Sequence, residues 1–234
     1  VAVALTGSWT NIQNNSSGNQ SQSITVPADA DLCVVYAAGY SSGVSHLFSE
    51  LSLSAADALH FTNIGTAAYS SDPQCDAWYI DANDANWPGT GTQTLYWQWD
   101  SPSGEGLNIQ VGFFKGVDLS DPIGDVEVYS PDTATPYTYT TSLTGVAADD
   151  MGIAGAYSYN QTPDADPAGY GQTAQETFYN HAGLGIGYEN GEGAVRLENL
   201  YYVQLVAFAI NASSGGGTTA VPVFVHHYRI AGGL

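Results

Sequence analysis

The chain has 234 residues, 44% hydrophobic, 12% aromatic and only 11% charged, and its three basic side chains (Lys115, Arg196, Arg229) face 23 acids for a formal net charge of -20. Nucleic-acid binding and polybasic membrane attachment both draw their attraction from Lys and Arg, so neither kind of partner is expected. The hydrophobic content is that of a chain with a full core, and the longest apolar run, Val203 to Ile210 interrupted by Gln204, is far short of the ~20 residues of a membrane-spanning helix.

Residues 1–20 read as a strand followed by a polar loop, Asn14-Asn-Ser-Ser-Gly-Asn19. From there strand signals recur, with alternation or β-branched and aromatic content and little helical periodicity. They fall at Ser23 to Val26, Leu32 to Tyr40, Glu50 to Leu53, Ala77 to Ile80, Gln93 to Trp99 and Leu107 to Phe114. They continue at Val126 to Tyr129, Tyr139 to Leu143, Gly152 to Tyr159, Leu200 to Ile210 and Val221 to Ile230. Breakers separate them: Pro102-Ser-Gly104, Asp121-Pro-Ile-Gly124, Asp164-Ala-Asp-Pro-Ala-Gly169 and Glu189-Asn-Gly191. Many short strands so spaced predict an all-β fold, a two-sheet antiparallel β-sandwich over residues 21–212. In Leu95-Tyr-Trp-Gln-Trp99 the alternation places Leu95, Trp97 and Trp99 inward and Tyr96 and Gln98 outward. Leu205 to Ile210 is apolar at every position, which predicts a central strand covered on both faces. Residues 213–219 have the content of a Gly/Ser/Thr linker, and 220–234 form a last strand or an anchoring tail, with Phe224, His226, His227, Tyr228 and Arg229 as its contact residues.

Two cysteines, Cys33 and Cys75, are too few for a zinc site and leave two outcomes open: a bridge between neighbouring strands, or two buried thiols acting as small hydrophobes. Gly39-Tyr-Ser-Ser-Gly43 matches G-x-S-x-G, with Asp149 and His181 coming later in hydrolase order. The segment after it, Val44 to Ser54, is strand-like rather than the helix an elbow must open, so a β-turn is the expected role of Ser41. Adjacent His226 and His227 would point to opposite faces of a strand and not share a metal. No catalytic residue is therefore assigned and the chain is read as non-enzymatic. The oxygen-rich loop Asp81-Ala-Asn-Asp84 would suit calcium through Asp81, Asn83 and Asp84, but it lacks the EF-hand glycine and distal glutamate, and an Asx-rich turn explains it as well. No other cofactor is expected. With 16 Tyr and 5 Trp, some rings must reach the surface. Trp87, Tyr157, Tyr159 and Tyr170, all near Gly/Asp-rich loops, are the candidate ligand-binding aromatics, by stacking on a sugar ring.

The order of these segments resembles a loosely related group of jelly-roll-like all-β domains found in tailed-bacteriophage structural proteins and bacterial surface proteins. The resemblance rests on Ile24-Thr-Val-Pro-Ala28, Leu32-Cys-Val-Val-Tyr-Ala37, Ala77-Trp-Tyr-Ile80 and Gly91-Thr-Gln-Thr-Leu95. Its most specific part is Val111-Gly-Phe-Phe-Lys-Gly-Val-Asp-Leu-Ser-Asp-Pro-Ile123, a strand ending in a Gly-Val-Asp turn. It covers roughly residues 20–212 and concerns turns and core positions, so it speaks to fold more than to function. What it implies is a virion-surface structural protein, part of head decoration or of a tail or fibre, that assembles with other virion proteins and copies of itself. The alternative is a carbohydrate-binding or adhesive module, extracellular or on a bacterial surface, with a host-surface glycan as partner and calcium as an aid.

Overall fold

The computed structural model describes residues 1–14, 16, 18–40, 47–68, 73–99, 106–131, 137–167 and 170–214. Among them the chain is all strand and turn, without a helix. The strands are β1 (Ala4–Leu5), β2 (Thr10–Asn14), β3 (Gly18–Val26), β4 (Leu32–Tyr40), β5 (Phe48–Ser52), β6 (Thr62–Ala68), β7 (Pro73–Asp81) and β8 (Gly91–Trp99). They continue as β9 (Leu107–Lys115), β10 (Ile123–Tyr129), β11 (Tyr137–Thr140), β12 (Met151–Tyr159), β13 (Thr173–Tyr179), β14 (Ala182–Asn190), β15 (Arg196–Leu200) and β16 (Gln204–Ile210).

Two large antiparallel sheets form the sandwich. The first runs β9-β4-β7-β6, with β1 and β2 sharing the outer side of β9; the second runs β10-β16-β12-β14-β13. Each outer face carries a smaller sheet, β3-β8-β5 over the first and the β11-β15 pair over the second. Side-chain alternation in the middle strands therefore feeds two cores at once. In β4, Leu32, Val34, Tyr36 and Ala38 enter the core between the large sheets, while Cys33, Val35 and Ala37 enter the core under the three-stranded cover. In β16, Val206, Phe208 and Ile210 join the central core, while Leu205 and Ala207 face the two-stranded cover. This is the double coverage that the unbroken apolar run predicts. Leu95, Trp97 and Trp99 all point inward under the first cover, as their alternation indicates.

Polar side chains tie the layers together where the cores meet their edges. Asn108 and Gln110 of β9 are fully buried and donate to Ala182 O at 3.4 Å and Thr177 Oγ1 at 3.1 Å, joining the first sheet to β13 and β14. Buried Asp76 accepts from Leu47 N at 2.6 Å and Gln74 Nε2 at 3.0 Å, holding the start of β5 against β7.

Several expectations are corrected. Residues 1–20, read as one strand and a polar loop, hold two short strands, β1 and β2, that extend the first sheet along β9, and β3 already begins at Gly18. The single strand read over Leu200 to Ile210 is two, β15 and β16, separated by a bend at 201–203 in which Tyr202 takes a left-handed conformation (φ 49°). β6, β13 and β14 carry no strand reading in the sequence. β14, Ala182-Gly-Leu-Gly-Ile-Gly-Tyr188, is rich in glycine, a composition that ordinarily argues against a strand interior. Its Leu184, Ile186 and Tyr188 fill the central core, while its glycine face lies directly under the chain at 161–165. The cysteines do lie on paired strands, but Cys33 points into one core and Cys75 into another, and both are free thiols. The tail 220–234, with Phe224, His226, His227, Tyr228 and Arg229, lies outside the described residues, as does most of the linker.

The glycine face of β14 makes a direct test. A Cβ on Gly183 would sit 1.8 Å from Gln161 O, a backbone atom with no rotamer to yield. Gly183→Ala is expected to destabilise the chain by about 2 kcal/mol or more, read as a fall in the urea midpoint at unchanged slope.

Candidate functional site

The chain's beginning and its exit towards the tail meet at one pole of the sandwich, around the turn Gly116-Val-Asp118. Gly116 (φ 75°) leaves room for Ala2 O, which a Cβ would approach to 2.6 Å. The Asp31 carboxylate accepts from Gly116 N at 2.6 Å, Asp118 N donates to Asn211 O at 2.9 Å, and Ser213 N donates to Gly116 O at 2.7 Å. Val1 N donates to Ser213 O at 3.1 Å. Asp150, largely buried, accepts from Ala212 N and Ala147 N, both at 2.7 Å, closing the joint from the second sheet. A turn held through backbone N–H groups by the carboxylates of Asp31 and Asp150 from the two sheets is a structural latch.

At the far end of β12 lies a different surface. Met151 pairs with Ile210 beside the latch and Tyr159 pairs with Ala182 at the other end, so the nine-residue strand separates the poles by about 26 Å. Here Tyr159 stacks on His181 (centroids 5.6 Å apart, planes at 21°) and meets Tyr202 edge-on at 6.2 Å, while Tyr201 and Tyr202 cross at 4.8 Å. The His181 Nδ1 and Asn160 Oδ1 atoms are 2.6 Å apart, so Nδ1 carries the proton and donates. Buried Ser158 shapes the turn below by accepting from Tyr201 N at 2.8 Å and donating to Asn199 O at 3.2 Å. Gln161, Asn199, Leu200 and Tyr201 line a small cleft of about 90 Å³. Of the five non-glycine residues with positive φ among the described residues, four (Asn160, Asn180, Asn199 and Tyr202) are here. Asparagine tolerates that conformation, whereas an aromatic residue there stores strain on the order of 1–3 kcal/mol.

The structure scatters the sequence-selected aromatics. Tyr159 belongs to the distal cluster. Tyr157 is fully buried in the central core and is no ligand-binding surface, because it shares the inward face of β12 with Met151 and Ile153. Trp87 is half-buried, packed on the core beneath the three-stranded cover near the latch. Tyr170 is 42% exposed but engaged, its ring 4.9 Å from the Arg196 guanidinium and its hydroxyl accepting from Arg196 Nη1 at 2.9 Å.

The Asp81–Asn86 loop is a pair of Asx turns: Asp81 Oδ1 accepts from Asn83 N at 2.8 Å, Asp84 Oδ1 accepts from Asn86 N at 2.7 Å, and Asn83 Nδ2 donates to Leu119 O at 3.2 Å. No group of three or more potential metal ligands occurs among the described residues. Ser41 lies outside the described residues. Asp149 sits beside Val1 at the latch and His181 in the distal cluster, so these two never meet.

A second cleft, of about 470 Å³, runs beside β3 near the latch and is lined by Thr6, Ser8, Thr10, Ser23, Thr25 and Thr92 among others. It offers hydroxyls but neither an exposed ring nor a charge. Sequence reasoning missed His181, Tyr201, Tyr202, Asn160 and Asn199. Composition does not mark Tyr201 and Tyr202, since tyrosine is an ordinary strand residue.

The two basic side chains among the described residues are both committed. Lys115 Nζ lies 2.7 Å from Asp29 Oδ2, and Arg196 Nε lies 2.7 Å from Glu198 Oε1. Lys115, with help from the Thr6 hydroxyl, holds the Asp29 carboxyl below the usual range; Ser120 does the same for Asp118, and the Thr144 N–H and hydroxyl for Asp125. Burial pushes both thiols up, so neither is a nucleophile at neutral pH.

Comparison of the chain with protein-family models, with curated proteins and with solved structures finds no match in any of the three.

These charges give stability two opposed dependences on pH. Protonating part of the excess of 23 acids over three bases relieves self-repulsion, so the melting temperature is expected to rise as pH falls from 7 towards 5. Asp29, Asp118 and Asp125 titrate lower in the folded state than in the unfolded one. The stabilisation they give is present above the unfolded value, about 3.9, and is lost as pH falls through the folded values, so the melting temperature should turn down below about pH 4. A melting temperature that falls steadily from pH 7 downward contradicts this.

Proposed function

We propose that the chain is a non-enzymatic structural protein of a tailed-phage particle, carried on the virion surface and acting through assembly with other virion proteins and with copies of itself. The observation that carries the reading is the latch. The Gly-Val-Asp turn, the most specific element of the resemblance, is the point where residue 1, residue 2 and residues 211–213 converge. A body in which residues 1–2 and 211–213 gather at one pole, with the opposite pole about 26 Å away along β12, suits a module attached through the latch and displayed outward.

The rest of the molecule is compatible with that role. Sheets covered on both faces make a rigid spacer. A net charge of -20 keeps such a surface soluble and disfavours adhesion to nucleic acid. The distal cluster of half-exposed rings and amides favours a second reading, an adhesive or carbohydrate-binding module.

Deleting residues 220–234 is expected to abolish incorporation into particles, measured by the copy number of the chain on purified virions, with circular dichroism confirming that the sandwich still forms. Full incorporation of the folded truncation would overturn the assembly reading.

A further inference from the structure

We infer that the distal cluster of Tyr159, His181, Tyr201 and Tyr202, with the amides of Gln161 and Asn199, is a binding site for an uncharged saccharide, one pyranose ring lying on the tyrosines with a substituent in the adjacent cleft.

Tyr202 is the first sign of a site. An aromatic residue at φ 49° is in a conformation that glycine or asparagine would adopt at less cost, and Asn160, Asn180 and Asn199 do so nearby. Were the ring there for packing it would be buried, as Tyr36 and Tyr157 are; instead Tyr201 and Tyr202 are only half-buried and cross edge to face at 4.8 Å. Backbone strain that holds a ring at the surface is the kind that persists for binding. The turn that carries it is built from below by Ser158, fully buried and bonded to both Tyr201 N and Asn199 O. His181 is likewise fixed, stacked on Tyr159 and tied to Asn160. The platform is thus pre-organised, which lowers the entropic cost of binding.

The chemistry of the cluster selects the ligand class. Tyrosine faces attract the C–H surface of a sugar ring, and primary amides present a donor and an acceptor side by side, matching adjacent hydroxyls. The cluster contains no Lys or Arg, Arg196 being committed to Glu198 and Tyr170, and the chain as a whole is strongly acidic; both disfavour sulfated or carboxylated glycans and nucleotides. The cleft of about 90 Å³ has room for about three waters, too little for a whole ring and enough for one hydroxymethyl or acetamido substituent.

The test uses the full chain, titrated with cellotriose and with the trimer of N-acetylglucosamine by NMR and calorimetry, then applied to an array of neutral and anionic glycans. Binding is expected to at least one neutral glycan and to no anionic one. Tyr201→Ala and Tyr202→Gly are each expected to weaken it by about tenfold or more, and Gln161→Ala by about fivefold. Because glycine relieves the backbone at 202, Tyr202→Gly is expected to melt no lower than the parent chain. The inference is overturned by no neutral glycan bound, preference for anionic glycans, undiminished binding by Tyr202→Gly and Gln161→Ala, or a markedly lower melting temperature for Tyr202→Gly. Capture of a protein partner without any glycan binding would also overturn it. The inference rests on the proposed display role only for which pole faces outward. Failure of that role would show as loss of particle incorporation with glycan binding intact, and failure of the site as the reverse.

Discussion

At the centre of the molecule Tyr36 of β4 lies against Gly155 of β12, and the register of the two large sheets depends on that contact. A Cβ on Gly155 would stand 2.4 Å from the Tyr36 ring, so the ring occupies space that only glycine leaves. The ring also stacks on Phe208 at 5.8 Å, and its hydroxyl crosses the core to donate to Val206 O at 3.1 Å. Beside it the Cys75 thiol donates to Gly155 O at 3.6 Å. One side chain thus reaches two strands of the opposite sheet and finds a partner for its hydroxyl in the interior. Burial pushes its hydroxyl far above the ordinary tyrosine range, which keeps it a neutral donor.

The covers are a consequence of the same strands. Because β4, β12 and β16 are apolar on both sides and β9 is apolar on the face it turns to the first cover, a bare sandwich would expose large hydrophobic faces, and the three-stranded and two-stranded covers remove them. Three cores share two sheets, so neither cover can be lost without exposing a face of the central pair. The result is a body rigid along β12, with its variable chemistry confined to the ends: a latch that gathers the chain's beginning and exit, and a distal surface of rings and amides. The separation of the latch from the distal surface comes from the length of β12, whose two ends belong to opposite poles.

How much of this the sequence disclosed depended on whether a strand obeyed its ordinary composition. Leu95, Trp97 and Trp99 alternate cleanly and point inward as expected, and the unbroken run of β16 announced its double coverage. β14 was invisible because its glycines answer to a segment, 161–165, that only the folded chain brings near. Tyr157 was mistaken for a surface ring although its parity with Met151 and Ile153 pointed inward; Tyr159, of the same parity, emerges only because it lies at the end of the strand. The distal site depended on the bend at Tyr202, and φ at a single residue is set by tertiary packing rather than by composition. The cysteines show the same limit, since neighbouring strands did not imply neighbouring side chains.

That the three cores, joined through the two large sheets, open as one unit is tested most directly by native-state hydrogen exchange, followed by mass spectrometry across a urea series. Amides of β4, β12 and β16 are expected to exchange last, through the same global opening that releases β8 in the three-stranded cover. Release of β3, β8 and β5 in a separate opening well below the global one, with β4 and β12 still protected, would contradict it.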